Sequence, residues 1–166
     1  MPVVSGASSR EVAQSLSPLL GMQYTELVSR RFPDGEGYVR VPEDAIDAVR
    51  SEATVLVSNT YPDSGVLQTI LMLKALRDVR RGELSNVKGI EPQKMSDVGS
   101  GLYLAIPYYG YSRQDKRFSK GEAVSARVIA EILSDYCDGI AILDLPEPAV
   151  LDGMDLPIRC VSAMPE

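Results

Sequence analysis

The sequence predicts an α/β fold, a mostly parallel sheet with helices on both faces. Three short runs, 53–60, Leu102–Ile106 and Gly139–Leu143, are rich in aliphatic residues and suit strands buried on both sides. Between them, 63–79 and 122–136 place apolar residues at helical spacing. Alternation of strand and helix is the order of a parallel sheet. With 166 residues, 45% hydrophobic and 24% charged, the chain has the composition of one domain around a single core.

The elements follow in order. Val3, Val4 and Ser5 form a first strand, then Gly6-Ala7-Ser8-Ser9 turns into a helix reaching about Leu20, with Ser8 or Ser9 as its N-cap. Residues 23–31 read as a strand of poor alternation. Phe32-Pro33-Asp34-Gly35-Glu36-Gly37 is a turn, by its proline and two glycines, before a strand over 38–41. In the helix 63–79, Val66, Ile70, Leu73, Ala75 and Leu76 share a broad apolar face, and Asp63 or Ser64 is the expected cap. Residues 80–101, with Gly82, Gly89, Pro92, Gly99 and Gly101, sustain no period. So long a loop is uncommon in a compact domain, and it reads as a disordered excursion or as an insertion touching a partner subunit. In a parallel sheet the turns at 6–10, 60–64, 108–120 and 144–148 open on the carboxyl edge of the strands, where ligands bind.

Composition excludes several functions. The chain has no histidine, which removes the commonest general base and metal ligand and every Ser-His or Cys-His scheme. A net charge of -6 argues against a nucleic-acid protein. No apolar run approaches the roughly 20 residues that span a bilayer, and no basic-then-apolar leader opens the chain, so a cytoplasmic protein is expected. Cys137 and Cys160 have no metal-ligand spacing and are expected to be buried thiols.

Against this acidic background, Arg113, Gln114, Lys116, Arg117 and Lys120 cluster between a strand ending at Pro107 and the helix that opens near Glu122 and Ser125. Arginine brings planar paired donors, lysine a mobile charge, and a helix start adds free N–H groups, which together suit a polyphosphate. The same pattern also occurs in plain solvated loops.

These motifs resemble the ribose-phosphate diphosphokinase family, the synthetases that make phosphoribosyl diphosphate. The resemblance rests on Phe32-Pro33-Asp34-Gly35-Glu36 and Tyr111-Ser112-Arg113-Gln114-Asp115-Lys116-Arg117, with Asn59-Thr60-Tyr61-Pro62 and Asp152-Gly153-Met154-Asp155 in support. It implies a phosphoribosyltransferase-like domain and covers the first half of such an enzyme. The expected organisation is thus one domain over 1–166, without a second domain to bind ribose phosphate. By the family's pattern Phe32, Asp34 and Glu36 hold adenine, offered by a neighbouring subunit. Arg113 and Gln114 hold the nucleotide and its phosphates, and Lys116 and Arg117 are secondary phosphate contacts. Magnesium enters with the nucleotide, and a homo-oligomer is implied.

One departure is specific. The family reads Asp-Leu-His after its last central strand, and this chain reads Asp144-Leu145-Pro146. Proline supplies neither a ligand nor an N–H. Asp144 or Glu147 could offer magnesium an oxygen, or both could be turn acids facing solvent. No catalytic residue and no metal ligand are therefore assigned to the chain. The function expected is an ATP- or ADP-binding domain, inactive alone, acting as a regulatory or associated subunit of a full-length synthetase. The alternative is the nucleotide-binding half of a split synthetase, completed by a separate second-domain chain.

Overall fold

The centre of the protein is a six-stranded parallel sheet in the order β2-β1-β5-β6-β7-β8. A computed structural model describes residues 1–84 and 101–164. The strands are β1 (Pro2–Ser5), β2 (Gln23–Glu26), β5 (Thr54–Val57), β6 (Leu102–Ile106), β7 (Gly139–Leu143) and β8 (Ile158–Val161). A separate antiparallel hairpin joins β3 (Val28–Arg31) to β4 (Gly37–Arg40). The helices are α1 (Arg10–Leu19), α2 (Ile46–Ser51), α3 (Asp63–Arg80) and α4 (Ser125–Ser134).

Strand periodicity sorts the apolar side chains between the two faces. In register, Val4, Leu56, Leu104 and Ile140 turn to the face covered by α3 and α4, where they join Leu73, Leu76 and Leu133 in the main core. Val3 and Val57 turn to the other face and pack with Ala13 of α1. The expected fold class is therefore what the chain adopts, with helices on both faces and every strand of the six-stranded sheet parallel.

Several local expectations need correction. Residues 23–31 are two strands, because Leu27 is buried and its N–H bonds to the Ser5 carbonyl at 2.9 Å. β2 then pairs with β1 and β3 with β4, which explains the poor alternation. Ser9 does occupy the N-cap position of α1, but its hydroxyl accepts the Asn59 N–H at 3.2 Å and makes no capping bond. Pro62 precedes α3 as N-cap, and the Asp63 carboxylate accepts the Tyr111 hydroxyl at 2.5 Å instead of capping. α4 starts at Ser125, three residues late, since Glu122 folds back onto the preceding loop. Cys137 is buried as expected, and burial pushes its thiol up to about 11. Cys160 is exposed, because β8 is an edge strand. α2 and β8 are elements the sequence did not announce. Of the irregular stretch 80–101, residues 85–100 lie outside the described residues.

Among the described residues no helix is long and apolar enough to cross a membrane.

Candidate functional site: the carboxyl rim of the sheet

All four turns expected on the carboxyl edge do open there, since β1, β5, β6 and β7 run parallel. Two of them are stitched together. The Tyr108 N–H donates to Asn59 Oδ1 at 3.0 Å, and the Thr60 N–H donates to the Tyr108 carbonyl at 3.2 Å. The Gly110 N–H donates to Thr60 Oγ1 at 2.8 Å. Glycine is required at 110, because a Cβ there would stand 2.2 Å from the Thr60 carbonyl oxygen. Tyr111 adopts φ of 66°, a left-handed conformation costly for a side chain of its size, and its hydroxyl is held by Asp63. That contact raises the Tyr111 phenol above its ordinary value. Tyr109 points inward, donates to the Ala126 carbonyl at 2.6 Å, and has its phenol pushed up by burial.

The cationic loop beyond Tyr111 is closed by its own contacts. One oxygen of Glu122 accepts the N–H groups of Phe118 at 2.6 Å and Ser119 at 2.9 Å, which lowers its carboxyl below the ordinary value. Arg117 Nε donates to the Glu122 carbonyl at 2.9 Å. The Gln114 amide reaches the Lys116 carbonyl at 3.3 Å and Glu122 Oε2 at 3.5 Å. The Gln114 carbonyl also accepts the Ala126 N–H at 3.2 Å, which ties the loop to the start of α4. Lys116 lies 5.4 Å from the Phe118 ring centre. Arg113 differs: it is exposed, and its guanidinium has no hydrogen bond or ion pair with a described residue. Of the expected phosphate-binding residues, Arg113 makes no hydrogen bond or ion pair with a described residue, while Gln114 and Arg117 are engaged in shaping the loop.

The hairpin presents Phe32, Asp34 and Glu36 together. The Gly35 N–H donates to the Phe32 carbonyl at 2.9 Å, the Phe32 N–H to the Glu36 carbonyl at 2.8 Å, and φ of 93° at Gly35 closes the turn. Asp34 Oδ1 accepts the Glu36 N–H at 3.1 Å, so one of its oxygens supports the turn. Phe32 is 41% exposed. Its ring meets Tyr38 edge-on at 5.8 Å, and Arg30 lies 5.7 Å from the Phe32 centroid and 4.7 Å from that of Tyr38. The hairpin leans on α3, with Gln68 Nε2 donating to Ser29 Oγ at 3.0 Å. Among the described residues no hydrogen bond, ion pair or ring contact joins the hairpin tip to the loop bearing Arg113.

At the end of β7, Asp144 has φ of 49° and its carboxylate accepts the Ala163 N–H at 2.9 Å and the Ser162 hydroxyl at 3.1 Å. It secures the chain after β8. Leu145 between Asp144 and Pro146 is buried, which fixes both neighbours facing outward. Glu147 is exposed and makes no capping bond to the 3-10 turn Pro148–Leu151. No group of three or more acidic, cysteine or histidine side chains that could hold a metal is found among the described residues.

A family model described as the N-terminal domain of ribose phosphate pyrophosphokinase matches residues 1–87 and 100–136. The chain belongs to the ribose-phosphate pyrophosphokinase family. The match leaves 88–99 aside, within the irregular stretch. The ribose-phosphate pyrophosphokinase of Methanothermobacter thermautotrophicus is 33% identical over 165 residues, 98% of this chain and 50% of that protein. That of Halobacterium salinarum is 30% identical over 164 residues, 99% of this chain and 50% of its own length. The chain thus spans about half the length of the curated relatives it matches. In fold it is similar to the crystal structure of phosphoribosylpyrophosphate synthetase from Mycobacterium smegmatis, with a TM-score of 0.71 and 22% identity, over 97% of this chain and 48% of that one.

The sequence assigns Asn59 and Thr60 no structural role and Asp63 only that of a helix cap, yet these three carry the rim's scaffold. The run Asn59-Thr60-Tyr61-Pro62 was visible as a turn, and its polar residues after a buried strand were the available signal. Their partners 48 to 50 residues away were not.

Proposed function

We propose that the chain is an adenine-nucleotide-binding domain of ribose-phosphate pyrophosphokinase type that takes up ATP or ADP with magnesium and forms no product alone. The observation that carries this reading is the exposed Arg113 guanidinium, which lacks a described partner on a loop where the side chains of Gln114, Arg117 and Glu122 are engaged. A guanidinium held this way meets two phosphate oxygens at once with little further ordering. Phe32 would stack on the adenine, with Glu36 and the outer oxygen of Asp34 accepting from its amine. No hydrogen bond, ion pair or ring contact among the described residues joins the two features, so in this reading the hairpin of a neighbouring copy completes the pocket in a homo-oligomer.

Among the described residues the rim gathers no group of three or more acidic or cysteine side chains that could hold a metal. Asp144 accepts the Ala163 N–H and the Ser162 hydroxyl on one oxygen, Oδ1, Pro146 has no ligand atom, and Glu147 makes no hydrogen bond or ion pair with a described residue. In this reading magnesium accompanies the nucleotide phosphates. Diphosphoryl transfer depends on dense electrostatic positioning of the reacting phosphates. Among the described cations of the loop, Arg113 and Lys120 make no hydrogen bond, ion pair or ring contact, whereas Arg117 and Lys116 do. A regulatory or associated subunit of a full-length synthetase fits that inventory.

Calorimetry with Mg-ADP, together with release of AMP from ATP and ribose 5-phosphate, tests the reading. Binding without AMP is the expected pair of results. Turnover by the chain alone refutes the inactive reading, and absence of binding refutes the nucleotide site. The alternative reading is the nucleotide-binding half of a split synthetase. It requires AMP to appear once a second-domain polypeptide is added.

A further inference from the structure

The two faces of the sheet are covered unequally. α3 and α4 close one face over Leu104, Ile106 and Ile142. On the other, α1 packs over β1 and β2 and stops there. Beyond α1 an apolar trough of about 410 Å³ runs over β6 and β7. Its floor is made of small residues, Ala105, Gly139 and Ala141, with Tyr103 42% exposed at one end.

The flanks of α1 show which side expects a neighbour. Ala13 and Ser17 mark its inward line. At about 100° per residue, Val12, Leu16 and Leu19 fall on the flank beside the trough, while Arg10 and Gln14 fall on the opposite flank. There Arg10 pairs with Glu26 of β2. Leu16 and Leu20 form the trough wall, and Leu19 is 83% exposed. An apolar flank only on the side of an uncovered sheet face is a packing surface without its partner.

The shape suits one helix. Two strand spacings come to about 10 Å, close to the diameter of a helix with its side chains. Floor residues without bulk admit the large side chains of an incoming helix. Arg159 on the far rim has no described hydrogen bond or ion pair, so it asks for an acidic residue there. The described chain cannot supply the helix. Its described crossover helices after β5 and β6, α3 and α4, both pack on the opposite face, as right-handed crossovers between successive parallel strands require. The relatives, however, carry about as much chain again beyond the matched half.

We propose that this trough is the docking site for an amphipathic helix from the second half of the synthetase, its apolar side on Ala105 and Ala141 and an acidic residue facing Arg159. The assignment does not depend on nucleotide binding.

The test joins the unmatched half of the Methanothermobacter thermautotrophicus relative to the end of this chain and reads the thiol of an Ala141→Cys variant by peptide-resolved alkylation. Alkylation of Ala141→Cys should be fast in the chain alone and at least about 100-fold slower in the fusion, because thiol reactivity follows access. An Arg113→Cys variant at the rim should react alike in both. A second variant, Ala141→Glu, should lower the melting temperature of the fusion and leave that of the chain alone unchanged. Equal alkylation in both proteins overturns the proposal. So does protection that appears in the chain alone as its concentration rises, which would give the trough to a second copy. None of these readouts involves nucleotide, so failure of the docking assignment is separable from failure of the nucleotide site.

Discussion

Gly110→Ala is the sharpest perturbation of the rim. A Cβ at that position would lie 2.2 Å from the Thr60 carbonyl oxygen and 3.0 Å from its carbon. The obstacle is backbone, so no side chain can swing away. Relief requires β6's outgoing chain to part from the turn after β5 by about 1 Å, given a normal carbon–oxygen contact near 3.2 Å. Three hydrogen bonds cross that seam, from Tyr108 to Asn59, from Thr60 to Tyr108 and from Gly110 to Thr60. Overpacking costs about 1–3 kcal/mol and each weakened bond about 1 kcal/mol. The stiffer unfolded chain returns less than about 1 kcal/mol. A net loss of about 2–4 kcal/mol follows from these terms, or roughly 5–15 °C in melting temperature for a domain this size. Circular dichroism melts of parent and variant measure it. Nucleotide affinity should fall with it, because the displaced segment leads directly to Arg113. A melting temperature within about 2 °C of the parent would show that the seam opens freely, and the stitched-rim argument would be wrong.

Other consequences are as direct. Arg113→Ala should weaken Mg-ADP binding by about 10- to 100-fold, the worth of a charged hydrogen bond, with the melting temperature unchanged because that side chain holds no described residue. Phe32→Ala should weaken binding with the fold intact, and hetero-oligomers mixing Phe32→Ala with Arg113→Ala chains should recover some sites by calorimetry. Glu122 has a lowered carboxyl, so its stabilisation is present above the ordinary value of 4.5 and is lost as pH falls through the lower folded value. Glu122→Gln should therefore melt earlier than the parent at neutral pH, and the two curves should converge in acid. A disulfide reagent at pH 8 should modify Cys160 quickly in the native protein and Cys137 only after denaturation, since the Cys137 thiol is buried and titrates near 11.

The sheet was legible because its central strands are apolar on both faces and its helices repeat at 3.6 residues. β6 and β7 were read to the residue. β8 was not, because Ile158-Arg159-Cys160-Val161 is an edge strand that alternates weakly and follows a proline-rich turn. The six residues of α2 are too few to show a period, and α2 is held by burying Val49 in the main core. The basic loop was visible by composition, and its individual roles were not. Glu122 was expected to open a helix and instead closes the loop, a choice set by the amide groups of Phe118 and Ser119 that the chain brings back to it. Local sequence names the elements, while long-range hydrogen bonds assign the side chains.

That division bears on how the rim could work. A phosphate loop needs cations that are both fixed and unspent, and these demands compete, because whatever fixes a cation also spends its donors. In the proposed nucleotide site the competition is resolved by separating the tasks along the chain. Glu122 binds the loop's own N–H groups, Arg117 and Gln114 hold its carbonyls, and Tyr111 fastens its base to Asp63. Arg113 sits between the fastened base and the closed loop, positioned by both neighbours while its guanidinium engages neither. An Arg113→Lys substitution separates position from geometry, since it keeps the charge at the same point and loses the planar fork. If the fork matters, lysine should recover only part of the affinity that alanine loses, and if charge alone matters it should recover nearly all of it.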